Sequence, residues 1–354
     1  MQLFFSPTQL DHDPKKEISD GKLVDAVEVP KRAEMIFDAL MKLPQIELKP
    51  QQDFGLAPIA QVHDTAYIDF LAAFGALWAE AGRSGEGFPF VWPGRDFRTD
   101  RVPNHLDGKL GHYSFDAGTP LTDKTFGAAY ASAQSALNGA SALVQGDQAS
   151  FALCRPPGHH AGKDYYGGYC FFNNAAIAAQ YFRDQGAQRV SIFDVDYHHG
   201  NGTQSIFYDR ADVQFLSVHA DPMDEYPYFL GHADEKGVGQ GHGQTVALVP
   251  EVFGDNFNYP LPLGTTADAL MAAIGAGLAE INSYAPDYLV ISLGVDFFEG
   301  DPISQFKLTY ADMPAIGTLL KTANVPTLFV MEGGYAVDDL GRNVATLIDG
   351  FLAG

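Results

Sequence analysis

The sequence predicts one doubly wound α/β domain on an open, mainly parallel sheet, and three observations predict it. Short, β-branched apolar segments alternate with small-residue segments of helical character over most of the 354 residues. The apolar segments have no polar face, which is the pattern of strands covered by helices on both sides. Their carboxyl ends carry the Asp, His and Gly-Gly-Tyr residues, and that is the edge where open α/β sheets place ligands.

In chain order, KTFGAAYASAQSALNGASALV (124–144) reads as a helix whose small residues allow close packing on a sheet, and SFALC (150–154) as a buried strand after it. NNAAIAAQYF (173–182) is a second helix of that kind, and RVSIFDVD (189–196) and DVQFLSVHA (212–220) are strands. TADALMAAIGAGLAEI (266–281) is a third helix, followed by the strands DYLVISLGVD (287–296) and VPTLFVMEGG (325–334). No Pro/Ser-rich linker, low-complexity tract or solenoid repeat divides the chain, so a single domain over residues 1–354 is expected.

A chain with 46% hydrophobic and 12% aromatic residues can bury a large core. Its two cysteines, Cys154 and Cys170, are too few for a disulfide framework and both fall in core-like segments, which fits the cytoplasm. MQLFFSPTQLDHDPKKE brings charge in too early for a signal peptide, and no apolar run is long enough to span a bilayer. The formal charge of -22 argues against nucleic acid as a partner and eases the approach of cations, although taken alone it is explained better by plain solubility.

Residues 81–112 break the rhythm with a long Gly/Pro/Arg-rich connection. Loops of that length are usually functional or interface-forming. Phe88, Phe90, Trp92, Arg95 and Arg98 give it the composition enriched at protein interfaces.

Two strand ends are acidic. RVSIFDVD runs into Asp194-Val-Asp196-Tyr-His198-His199, and alternate side chains of an extended strand share a face, so Asp194, Asp196 and His198 can point together. DYLVISLGVD ends in Asp296. Two carboxylates and one imidazole suffice for a divalent ion that keeps positions free for water and substrate. Core packing explains them poorly, because buried carboxylates are costly unless paired or metal-bound.

Arg155-Pro-Pro-Gly158-His159-His160 follows SFALC and holds adjacent imidazoles in a Gly/Pro-framed loop. One histidine of this kind is as often structural as functional, whereas two in tandem beside an acidic site point to function. Met331-Glu332-Gly333-Gly334-Tyr335 ends another strand in a glycine pair that permits close approach of a ligand, with Tyr335 presenting its hydroxyl.

Together RPPGHHA, GGYCFFNNAAIAA, FDVDYHHGNGTQ, FLSVHADP, LGVDFFEGDP and EGGY resemble, in order, the motif set of the histone deacetylase-like family, from about residue 1 to the C-terminus. The resemblance implies the arginase/deacetylase-type α/β fold. It implies zinc on Asp196, His198 and Asp296, with Fe2+ or Co2+ as substitutes. His159 and His160 match the family's catalytic pair, with Asp194 partnering His159, and Tyr335 its transition-state tyrosine. Asn201 stands where many eukaryotic members carry an aspartate, and a neutral partner raises the imidazole pKa less.

The resemblance further implies a structural potassium (K+) on backbone oxygens and side chains of Asp194, Asp196, His198, Ser217 and Val218. A second alkali-metal site is expected near Phe207, Arg210 and Val213. Tyr169, Gly168 and Tyr226 would line the acyl channel, Tyr226 being the one whose loop also reads as core.

HADPMDEYPYFLGHADE and FPFVWPGRDFRTD are similar to the bacterial acetylpolyamine amidohydrolases of this family. In that group the insertion builds a homodimer that narrows the channel mouth, and acids there receive the ammonium of a small cationic acetylated amine. Asp107 and Asp116 are the candidates here, and Gly118 stands where a third acid would complete the set.

The implied reaction is acetyl amide hydrolysis with His160 as base, His159 as electrostatic support and Tyr335 on the oxyanion. Three alternatives remain open at this point: a protein acetyl-lysine deacetylase, a two-manganese ureohydrolase, or a non-catalytic acetyl-amine binding protein. The ureohydrolase needs more carboxylates than this site offers. A zinc-dependent turnover assay separates the binding protein.

Overall fold

A computed structural model describes residues 1–237 and 255–354. The strands, in chain order, are β1 (Gln2–Phe4), β2 (Lys16–Ser19), β3 (Lys22–Asp25), β4 (Glu47–Leu48), β5 (Ala149–Ala152), β6 (Val190–Asp194), β7 (Val213–Ala220), β8 (Asn256–Leu261), β9 (Tyr288–Leu293) and β10 (Thr327–Met331). The α-helices are α1 (Lys31–Leu40), α2 (Thr65–Glu80), α3 (Leu106–His112), α4 (Thr125–Val144), α5 (Asn174–Asp184), α6 (Asn201–Phe207), α7 (Ala267–Tyr284), α8 (Met313–Lys321) and α9 (Val337–Ala353).

Eight strands form one sheet in the order β4-β1-β5-β10-β9-β6-β7-β8. Every pairing in it is parallel. Strands β6, β7 and β10 are buried along their whole length, as apolar runs without a polar face require. Val190, Ile192, Phe215, Val290 and Val330 join one core with α4 and α5. Phe193, Leu216, Ile291, Phe329 and Met331 join the other with α7, α8 and α9. The chain is therefore a single α/β domain with helices on both faces of its parallel sheet.

Local chemistry explains the helices beside the site. Helix α4 lies close on the sheet because a Cβ at Gly139 would overlap Leu328 of β10. Helix α5 begins where the Asn173 side chain accepts a hydrogen bond from Ala176 N (2.9 Å), an N-cap that fixes its first turn.

The strands and helices read from sequence are all present. The elements not read from sequence are β1, β4, β8, the antiparallel hairpin β2–β3, and helices α1, α2, α6, α8, α9 and, inside the 81–112 connection, α3. Helix α3 packs against the loop before it, and a Cβ at Gly111 would strike the Val91 carbonyl. Trp92 Nε1 donates to Ser114 Oγ (3.0 Å), while Phe90 and Phe97 are 70% and 68% exposed.

Candidate active site

Four adjacent strands, β5, β10, β9 and β6, deliver the site at their carboxyl ends. Beyond β5 comes the loop to His159 and His160, beyond β10 the loop to Tyr335, beyond β9 Asp296, and β6 ends in Asp194 and leads to Asp196 and His198.

Ligand atoms of Asp196, His198 and Asp296 lie within 4.8 Å of one another, and all three residues are buried. His198 Nδ1 sits 3.0 Å from Asp296 Oδ2 and 3.5 Å from Asp196 Oδ1. Gly333 N donates to Asp196 Oδ2 (2.8 Å) and Tyr197 N to Asp296 Oδ1 (3.0 Å), so backbone fixes both carboxylates. Burial and then the Asp196 charge push the Asp296 carboxyl up to about 7. Such strain between buried acids is what a divalent cation relieves, and two carboxylate oxygens with one imidazole nitrogen are a donor set that suits zinc.

His159 Nδ1 lies 2.9 Å from Asp194 Oδ2. Burial opposes charging this ring, but Asp194 and Asp196 outweigh it and push its pKa to about 10. His160 is the opposite case. Burial first, then the charges of His159 and His198, hold it well below the ordinary range. Its Nδ1 is 2.7 Å from Asn201 Oδ1, which can only accept, so Nδ1 carries the proton and Nε2 has a free lone pair. One imidazole is thus kept charged and its neighbour, 4.0 Å away between centroids, is kept neutral.

Burial raises the Tyr335 phenol well above its usual value and keeps it a donor. Asp301 Oδ2 accepts from Tyr335 N (2.6 Å) and Ala336 N (3.2 Å). Arg32 bridges the carbonyls on either side of Gly333, with Nη2 to Glu332 O (2.7 Å) and Nε to Gly334 O (2.6 Å). Its guanidinium lies 4.5 Å from the Tyr335 ring centroid. Glu332 Oε2 in turn accepts from Gly158 N (2.6 Å) and His159 N (3.1 Å), tying the tyrosine loop to the histidine loop.

A cavity of about 480 Å³ opens above His160, His198 and Tyr335. Tyr169 and Tyr226 are among its lining residues, and Gly168 lies against the His160 ring. Tyr169 donates to Glu17 Oε1 (3.1 Å), and the Tyr226 ring stands edge-on to His160 at 5.1 Å.

The mouth acids need correction. Asp107 does not line this cavity: its carboxylate, in the first turn of helix α3, is held by Arg83, with His105 3.5 Å away. Asp116 does line the cavity, but as a strut that accepts from Gly168 N (2.6 Å), Tyr226 Oη (2.7 Å) and Thr119 N (3.1 Å). The acids that sequence reading missed are Glu17, Asp20 and Glu225. Glu17 and Asp20 arrive on the β2–β3 hairpin, whose Asp20-Gly21 turn has both φ angles positive (51° and 70°), and Asp-Gly is a readable hairpin signal. Glu332 and Asp301 lie inside the quoted segments EGGY and LGVDFFEGDP, whereas Arg32 has no comparable signal.

Asp194 and Ser217 are direct register partners on β6 and β7, with Val218 next to them. Ser217 Oγ is shared by His199 Nδ1 (3.2 Å) and His219 Nδ1 (2.7 Å). Phe207, Arg210 and Val213 gather at the α6–β7 turn, where Arg210 N donates to Phe207 O (2.9 Å).

Fold and site together define an α/β protein that gathers a buried Asp–His–Asp cluster able to hold a metal ion, beside two imidazoles, at the carboxyl edge of its sheet. The pattern of the family described as "Histone deacetylase domain" matches residues 26–351, and the chain belongs to that family. It is 49% identical to the Pseudomonas aeruginosa protein named acetylpolyamine amidohydrolase 2, over 96% of this chain and 95% of the relative. It is 43% identical to the acetylpolyamine amidohydrolase of Mycoplana ramosa, over 99% of both chains. The crystal structure of acetylpolyamine aminohydrolase from Burkholderia pseudomallei superposes with a TM-score of 0.91 at 37% identity, covering 100% of this chain and 99% of that one.

Proposed function

We propose that the protein is a zinc-dependent amidohydrolase that removes the acetyl group from small acetylated polyamines such as acetylputrescine or acetylcadaverine. One observation carries the substrate: Glu17, Asp20, Asp116 and Glu225 line the cavity, and no Lys or Arg is among its described lining residues. A charge-assisted contact there is worth roughly 1.5 to 3 kcal/mol, which favours a diamine over an uncharged analogue by about tenfold to a hundredfold. The names of the relatives support the same substrate class.

Held by Asp196, His198 and Asp296, zinc, or Fe2+ or Co2+ in its place, would supply Lewis acidity for the acetyl carbonyl and make water a better nucleophile. His160 Nε2 takes the proton from the attacking water and returns it to the leaving amine, a shuttle that requires a neutral ring, which burial favours. Charged His159, held by Asp194, faces the developing negative charge, and the Tyr335 hydroxyl donates to the oxyanion. Tyr169 and Tyr226 exclude water from the acyl arm.

We further assign a structural potassium to oxygens of Asp194, Asp196, His198, Ser217 and Val218, a second to the Phe207–Arg210–Val213 turn, and a homodimer to the exposed 81–112 connection. Cys154 and Cys170 are free buried thiols, which suits a reducing cytoplasm. Among the described residues no helix is long and apolar enough to cross a membrane.

The test is a panel of acetylputrescine, acetylcadaverine, acetylspermidine and an acetyl-lysine peptide. The acetylated amines are expected to show the higher kcat/KM, with the gap narrowing in added salt. Equal efficiency on long acetylated peptides would overturn the substrate, and no zinc-dependent turnover at all would overturn the chemistry.

A further inference from the structure

Glu28 lies in the connection between β3 and α1, is not among the residues that line the cavity, and is 2% exposed. A single oxygen, Oε1, accepts from two buried guanidiniums: Arg32 Nη1 at 2.8 Å and Arg155 Nε at 2.9 Å. Its other oxygen, Oε2, is buried with no hydrogen-bond partner among the described residues. Burial opposes the charge on Glu28, and Arg155 and Arg32 overcome it and hold the carboxyl below its ordinary range.

The two arginines have different anchors. Arg155 is fixed to the N-terminal segment through Gln9 O (2.8 Å), Gln9 Oε1 (2.7 Å, from its backbone N) and His12 O (2.6 Å). Arg32 is fixed to the two carbonyls that flank Gly333 and lies beneath the Tyr335 ring. Glu28 is the junction through which the position of Arg155 is passed to Arg32.

Stability does not account for this arrangement. The desolvation cost of a buried Arg–carboxylate–Arg triad consumes most of its attraction, and hydrophobic replacements of such triads are often neutral or stabilising. What the triad does supply is a fixed position for a charged fork against the backbone that aims a phenol.

We propose that Glu28 is a positioning residue for amide hydrolysis: through Arg32 it fixes the Glu332–Tyr335 loop and thereby the aim of the Tyr335 hydroxyl. The role rests on the deacetylase reading above. A hydroxyl displaced by a fraction of an ångström still leaves the substrate able to bind but loses the contact made only in the transition state. The signature is a fall in kcat without a rise in KM.

The experiment is a double-mutant cycle on the full chain with acetylputrescine. Glu28→Gln keeps the shape and an oxygen acceptor while removing the charge. It is expected to lower kcat at least tenfold, with KM within about twofold and metal content unchanged. In a Tyr335→Phe background, where no hydroxyl is left to aim, the same substitution is expected to cost less than about threefold. Arg32→Lys, which keeps charge but loses the fork across two carbonyls, is the second variant and is expected to follow the same cycle. Unchanged kcat in Glu28→Gln, or an equal fold-loss with and without the Tyr335 hydroxyl, would overturn the proposal while the wild type remains active. A wild type inactive on every acetyl amide would overturn the proposed function and this inference with it.

Discussion

Gly168 lies against the imidazole of His160, so closely that a Cβ there would overlap the ring atoms Cδ2 and Cγ, and its φ of 54° is one that glycine adopts freely. Gly168→Ala should therefore tilt the base away from its Asn201 partner. The expected loss is tenfold or more in kcat, with metal content retained, measured by steady-state kinetics alongside metal analysis. Turnover within twofold of wild type would mean the ring yields at no cost.

Purified protein should bind about one zinc-type ion per chain, and Asp196→Ala or His198→Ala should release it together with activity, since each removes one of three protein ligands. A chelator should do the same reversibly. Two equivalent bound ions would instead match a ureohydrolase.

Tyr335→Phe should lower kcat by roughly a hundredfold or more, the usual scale for one oxyanion donor, while leaving the ion in place. His160→Ala should be comparably damaging. Near-normal turnover in the first variant would make Tyr335 structural, and in the second would move the base role to His159.

His63 is buried and its Nε2 accepts from Asn173 N (2.9 Å), so the ring is kept neutral and burial lowers its pKa from 6.5 to about 4. The unfolded chain binds this proton more readily. Stability from His63 is therefore complete above pH 6.5 and is lost as pH falls towards 4, by on the order of 2 kcal/mol at pH 5. Thermal unfolding at pH 7 and pH 5 should show a smaller acid loss in His63→Gln than in wild type. Identical losses would rule His63 out as a source.

The exposed Phe90 and Phe97 should be covered in solution by a second copy, because a C2 contact is the commonest way to bury such a surface. Light scattering should give the mass of a dimer, and the pair Phe90→Ser and Phe97→Ser should shift it towards monomer. A fully active monomer at micromolar concentration contradicts this.

The centre of the fold was legible because strands such as RVSIFDVD and DYLVISLGVD are apolar on both faces and end in charged residues, and both ends are found at the site. The grouping of Asp196, His198 and Asp296 and of the two imidazoles was legible for the same reason, each lying beyond a strand. Asp107 misled because a place inside the insertion does not say which partner a carboxylate meets, and Arg83 captures it. Arg32 and Glu28 were invisible because they act on loops some 300 and 127 residues away, through backbone carbonyls and a shared arginine contact that leave no trace in residue type.

Strand β10 sits between β5 and β9, yet it follows both of them in the chain. Until it has left the ribosome the sheet has a gap at its middle, with the facing edges of β5 and β9 unpaired. The sheet therefore closes only when β10 slots between strands made before it, a non-local step of the kind that slows folding and leaves apolar strand edges exposed meanwhile.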